Sequence, residues 1–295
     1  MRSRPTLPLV SLVLILLSIG TARADLSQNQ ARKLISNISG VSLPRGDIHV
    51  ISVTQGEGTS ANVTAQIELA FRATQTGDGV WRLSEVRVGP NNWEELALIA
   101  RAGNFQLSEP DCKAGLKAGD LKNSEARCLV ASLFGITLPS DDVRIKEISA
   151  FGLPFGTRAS ALIVSLVELN FRFGTDNGKW ELTDFKSGSH DWSDVVGLPQ
   201  SLNAQKQTVA KAELDLIVKA LNTYRRDRGS FVISEKESVV IDHLSPRYLS
   251  QVIRLDPWHR PYQYHGERDR FTLRSLGPDG KSDTSDDVVA TNTNP

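Results

Sequence analysis

Two stretches of this chain repeat each other, and a sequence that repeats a whole pattern has few ways to bury it. Ala31-Arg32-Lys33-Leu34-Ile35 returns as Ala126-Arg127-Cys128-Leu129-Val130, and Gly40-Val41-Ser42-Leu43-Pro44 as Gly135-Ile136-Thr137-Leu138-Pro139. Further on, Ile67-Glu68-Leu69-Ala70-Phe71-Arg72 is answered by Val167-Glu168-Leu169-Asn170-Phe171-Arg172, Trp81-Arg82-Leu83 by Trp180-Glu181-Leu182, and Trp93 by Trp192. A pattern this long implies a duplicated module rather than a shared motif.

Each copy reads alike. Ala31, Leu34, Ile35 and Ile38 share a helical face, as do Ala126, Leu129, Val130 and Leu133, and Gly40 and Gly135 are placed to end those helices in the left-handed region. Val63, Ala65, Ile67, Leu69 and Phe71 alternate with polar residues, the period of a strand with one face buried. Gly77-Asp78-Gly79 and Asp176-Asn177-Gly178 then turn the chain into the Trp81 and Trp180 strands. Those strands break phase, since Val86 follows Trp81 and Leu83 out of step and Phe185 does the same after Trp180 and Leu182, so both copies should carry a bulge. Asn92 and Asp191, with Glu95 and Asp194 three residues on, are expected to cap short closing helices that begin at Trp93 and Trp192.

The last ninety residues follow a different pattern. Ala210, Leu214, Ile217, Leu221 and Tyr224 step by four and three along a helix over Val209 to Tyr224 that Gly229 ends. In Asp256-Pro257-Trp258-His259-Arg260-Pro261 the two prolines fix φ and withhold donors, which makes a rigid turn. Tyr262 and Tyr264 then share one side of a strand, and Phe271, Leu273 and Ser275 share one side of the next, a hairpin across Gly266 to Asp269. Asp279, Asp283, Asp286 and Asp287 crowd the loop beyond it. Four carboxylates this close repel one another unless something positive sits among them.

Asp256-Pro257-Trp258, Pro261-Tyr262-Gln263-Tyr264, Ser275-Leu276-Gly277-Pro278-Asp279-Gly280 and Asp286-Asp287-Val288 stand in an order and spacing that resembles the C-terminal domain of the major pseudopilin of type II secretion systems. Leu221, Tyr224, Asp227, Gly229 and Phe231 are similar to the end of that family's long helix, and the likeness covers about residues 205 to 290. It implies a pilin-like helix and sheet with a calcium ion in the acidic loop, held by Asp279 and Asp286 with Asp287 nearby and Leu276 offering its carbonyl. Calcium takes several oxygen ligands in irregular geometry, which suits an acidic loop with glycines, although no EF-hand register is present. The sequence departs from the family in having no leader cut before a Phe and no long apolar first half to the helix. The likeness therefore carries the fold and not, by itself, filament assembly.

Met1 to Ala24 reads as a signal peptide, with Arg2 and Arg4 before the apolar Leu7 to Ile19 and Ala22-Arg23-Ala24 at the cut. Export to the periplasm or beyond is the consequence, with no membrane segment after cleavage. An exported chain with two cysteines, Cys112 and Cys128, is expected to join them in a disulfide. The expected division is a signal peptide at 1–24, repeat modules at 25–103 and 125–202 around a linker at 104–124, and a pseudopilin-like domain at 203–295. The fold class is α+β: two tandem helix-plus-antiparallel-sheet modules followed by a pilin-like helix-and-sheet domain.

Lys plus Arg and Asp plus Glu both number 34, so no overall field draws the chain to nucleic acid. No His-Glu-x-x-His helix, cysteine-histidine zinc spacing, Gly-x-Ser-x-Gly elbow or phosphate loop occurs. Glu68 and Glu168 recur at matching positions but lie on the polar side of their strands, as solvated residues do. The expectation is a non-enzymatic exported protein that is accessory to, or interacts with, a type II secretion or pilus-like apparatus. The alternative is a binding module whose duplicated units hold a ligand or a protein partner.

Overall fold

The computed structural model describes residues 25–38, 41–57, 59–75, 79–104, 121–153 and 156–292. The expected signal peptide, Gly40, Gly77, Asp78 and Cys112 lie outside them. The fold is mixed α+β, with one large sheet, one small sheet and five α-helices among the described residues.

The body begins with α1 (Gln28–Ser36), whose entry is fixed locally: Ser27 Oγ accepts the Gln30 amide at 3.3 Å, and Gln30 Oε1 accepts the Ser27 amide at 3.0 Å. A 3₁₀ turn at Arg45–Asp47 leads into β1 (Ile48–Gln55), β2 (Ser60–Gln75), β3 (Trp81–Arg87), β4 (Trp93–Glu95) and α2 (Leu96–Ala102). The same order then recurs: α3 (Asn123–Phe134), a 3₁₀ turn at Ser140–Asp142, β5 (Val143–Leu153), β6 (Gly156–Asp176), β7 (Lys179–Ser187) and β8 (Ser193–Asp194). α3 stops at Gly135, whose φ of 61° is the left-handed conformation expected there. Asn177 and Gly178, both at positive φ, close the two-residue turn from β6 to β7.

β2 and β6 pair antiparallel from Ser60 opposite Gly174 to Thr74 opposite Ser160, so the two halves share one sheet. Ile67 sits opposite Val167, its own counterpart in the sequence pattern, while Ala65 faces Leu169 and Leu69 faces Ser165. Contacts of that reciprocal kind place a local twofold axis through the Ile67–Val167 pair. The helices cross the seam as well: α1 packs on β1 and reaches β7, and α3 packs on β5 and reaches β3. One core results, with Ile35, Ile67 and Phe71 from one half and Val130, Val167 and Phe171 from the other all excluded from solvent.

The broken phase of the tryptophan strands is a bulge in each half. Register slips between Arg72 and Ala73 against β3, and between Arg172 and Phe173 against β7. Of the extra residues, Ser84 donates its hydroxyl to the Arg72 carbonyl at 3.1 Å, and the Thr183 hydroxyl lies 3.2 Å from the Arg172 carbonyl and 2.8 Å from Asp184 Oδ2. The closing segments differ from expectation. Asn92 and Asp191 cap no helix, because Trp93–Glu95 and Ser193–Asp194 run as short strands beside β3 and β7, and the ladder satisfies the backbone groups that a cap would have taken. Trp93 and Trp192 instead lie under the Arg72 and Arg172 guanidinium groups, 4.1 and 3.8 Å from the ring centroids.

The head begins with α4 (Leu198–Arg228), which is longer at both ends than the helix expected over Val209 to Tyr224. A proline in the first turn suits its start, and Gly229 at φ 79° ends it. Ala210, Leu214, Ile217 and Leu221 are buried as the stripe requires. α5 (Glu237–Leu244) precedes β9 (Gln263–Gly266), β10 (Phe271–Ser275) and β11 (Val288–Thr291), ordered β11-β10-β9. Phe271 pairs with Gly266, which closes the expected hairpin, and Tyr262, Tyr264, Phe271 and Leu273 are all buried. No helix among the described residues is long and apolar enough to cross a membrane.

Head and body meet where α4 packs on α2. Lys206 Nζ reaches Glu94 Oε1 at 2.7 Å with both side chains almost wholly buried. Within the head, Trp258 Nε1 donates to Asn203 at 3.0 Å, and the neighbouring His259 crosses to the body, its Nε2 2.6 Å from the Trp93 carbonyl.

Candidate cation-binding loop

The acidic loop is anchored by a buried carboxylate two strands earlier. Asp256 is only 3 % exposed, and in the turn that the two prolines stiffen its Oδ1 accepts the Trp258 and Arg260 amides at 3.0 and 2.9 Å. Its Oδ2 accepts the Ser275 hydroxyl at 2.5 Å. Arg260 then donates to the Gly277 carbonyl and, at 3.1 Å, to the Pro278 carbonyl. The entrance of the loop is thus fixed from two sides. Gly277 has φ 59°, and a Cβ there would stand 2.3 Å from the Asp286 carbonyl oxygen, so glycine lets the two ends of the loop close together.

Beyond this entrance the aspartates turn inward. Asp279 Oδ1 accepts the Lys281 amide at 2.8 Å, and Asp286 Oδ2 accepts the Asp279 amide at 3.1 Å. The Thr284 hydroxyl is 2.6 Å from Asp286 Oδ1, 3.4 Å from Asp279 Oδ1 and 3.5 Å from Asp287 Oδ1. A hydroxyl carries one proton, and the shortest contact gives it to Asp286. That bond, then the Asp279 amide, holds the Asp286 carboxyl below its ordinary range.

The sequence-derived residues are therefore partly assembled: Asp279, Asp286 and Asp287 converge on a single side chain, while the Leu276 carbonyl accepts the Gly280 amide at 3.2 Å. Among the described residues, no three acidic, histidine or cysteine side chains are placed to hold a metal ion. Two participants escaped sequence reasoning. Thr284 lies between the aspartates in the chain and resembles an ordinary loop residue. Arg274 is the positive group that the crowding demands, with Nη1 at 2.8 Å from Asp283 and 3.5 Å from Asp287. Strand parity was the available signal, because Arg274 alternates with the buried Leu273 and Ser275 and must project from the other face.

Other candidates stay apart. Glu68 and Glu168 are exposed on the sheet, and His265 lies 3.5 Å from Glu235 and 3.6 Å from Glu267. Cys128 is half-buried on α3.

A head made of one long helix, a three-stranded sheet and a glycine-bounded acidic loop is what the pseudopilin resemblance implied. Residues 198–292 match the family model of the type II secretion system protein G. The match starts on the first residue of α4 and ends one residue past β11, so it spans the protein G-like head and stops at the body. No curated protein matches the chain.

Proposed function

We propose that this chain is an exported, non-enzymatic accessory of a type II secretion or pilus-like apparatus, docking through its protein G-like head. The supporting observation is the coincidence of the family match with a complete structural unit, α4 through β11. The body is then a duplicated module, for which the reciprocal register about Ile67 and Val167 and the paired Ser84 and Thr183 bulges speak. A Cys112–Cys128 disulfide would tie the first turns of α3 to the segment before it, as an oxidising compartment favours. Recovery of secretion components with the tagged full-length protein from envelope fractions is the expected result. Recovery of none, with the protein itself abundant there, rejects the role.

The loop would bind calcium once the Asp279, Asp286 and Asp287 carboxylates turn from Thr284 and the loop amides toward a common point, with the Leu276 carbonyl released from Gly280. Hard oxygen donors that share one hydroxyl suit a cation that can serve several carboxylates at once. Its contribution is structural: it ties the β10 end of the loop to the β11 end. Calcium at one hundred times its Kd adds about 2.7 kcal/mol to the head. Melting with calcium and with chelator reads this directly, and an unchanged midpoint dismisses the site.

A further inference from the structure

A cavity of about 570 Å³ opens on the seam between the halves of the body. It straddles the local twofold, for Leu69 and its counterpart Leu169 both line it, as do Val86 and its counterpart Phe185. The two sides of the cavity are nevertheless unlike. After β4 the chain folds α2 over the first half, and Leu96 and Ile99 form that wall. After β8 the chain leaves as α4, which packs on α2 and on the head. Among the described residues, the wall beside β7 is built from α3 and the β7–β8 turn, and Phe134 and Phe185 are half-buried where Phe71, Phe171 and Phe173 are fully covered.

Polar groups gather at one end. Ser187 is 7 % exposed, and the buried Nε2 of His190 has no hydrogen-bond partner. The ring is held against the end of α3, since a Cβ on Gly135 would lie 3.0 Å from that nitrogen. A buried imidazole nitrogen left unpaired is costly; as it stands this one is closed off against Gly135, and a turn of the ring toward a ligand oxygen in the cavity would regain the loss. Lys186 stands at the same rim, with the exposed Asp191 as the carboxylate lining it. Aliphatic and phenyl walls closed at one end by a few convergent polar groups, in the ~300–1,000 Å³ range of small-molecule sites, are a ligand pocket rather than a packing fault.

We infer that this cavity binds a single-chain amphiphile of the fatty-acid type, its chain along Leu69, Leu169 and Phe185 and its carboxylate on His190 Nε2 beside Ser187 and Lys186. The inference rests on the body alone and stands whether or not the head docks with a secretion apparatus.

Titration of the full-length protein with dodecanoate, below the concentration at which it forms micelles, is expected to give saturable binding of one molecule per chain. Each methylene removed from the ligand should weaken binding by up to about fourfold. Val86→Trp, which fills the cavity, should abolish binding, and Ile99→Trp on α2 gives a second such variant if the first does not fold. His190→Gln should weaken the carboxylate several-fold. A photoreactive dodecanoate, applied to the wild-type protein, should label the Phe134 and Phe185 segments. Labelling confined to the head, affinity indifferent to chain length, or undiminished binding by a folded Val86→Trp or Ile99→Trp protein would each overturn the assignment.

Discussion

The two seams of this molecule are built on opposite principles. Between the halves of the body, β2 and β6 exchange backbone hydrogen bonds over their whole shared length and bury Ile67 and Val167 at the centre, so neither half has a complete sheet or core without the other. Between body and head, no strand crosses among the described residues. The contact is α2 on α4, fastened by the buried Lys206–Glu94 pair and the His259–Trp93 contact. Apolar burial and a continuous ladder make one cooperative body, whereas a few polar contacts fix one orientation of a head that keeps its own core.

Phe71→Ala should break that contrast hardest. Phe71 is fully buried and packs edge-on against Phe134 at 5.8 Å, so its truncation is expected to cost about 3–5 kcal/mol. Hydrogen exchange should then speed up in α1 and α3 together while the head stays protected, and a body that loses protection in only one half would refute the idea of a single core. Lys206→Met comes next, at about 3 kcal/mol, because it strands the Glu94 carboxylate in a dry seam. Adding Glu94→Leu should recover most of that loss in chemical denaturation, and a double variant no better than the single one would remove the ion pair from the account.

Acidity gives the smallest effect and the finest resolution. Glu213 of the head has its carboxyl pushed above the ordinary range, first by burial and then by Glu95 of the body and by Asp256, against the Tyr262 hydroxyl that donates to it at 2.5 Å. A raised carboxyl favours the protonated form on folding. Stability is therefore fullest below the ordinary carboxylate range and declines as pH climbs through the elevated value. Glu213→Gln should lose that decline, so the melting difference between variant and wild type should move in favour of the variant from acid to neutral pH. Parallel curves would show that the seam does not feel this charge.

What the sequence made legible follows from how local each cause is. The Gly135 stop, the bulges behind Trp81 and Trp180, and the Tyr262–Leu273 hairpin are each written within a few neighbouring residues, and each is present. Trp93 and Trp192 misled because their setting is not local: whether Asn92 caps a helix or precedes a strand depends on β3 offering a free edge across a turn. The pairing of β2 with β6 was hidden for the same reason, since alternation tells which face of a strand is buried and not which strand lies alongside. In the acidic loop the aspartates themselves were conspicuous. Arg274 and Thr284 were not, because each acquires its meaning only once the strand has set its direction.

The thirty-one residues of α4 are common to body and head. Lys206, in its third turn, is locked into the body, while Leu214, Ile217 and Leu221 belong to the core of the head. A helix of that length is a rod of about 46 Å with no glycine or proline after its first turn at which to flex. Whatever grips the head therefore pulls on the body along the same axis, and the tilt of one cannot change without unwinding the spine of the other.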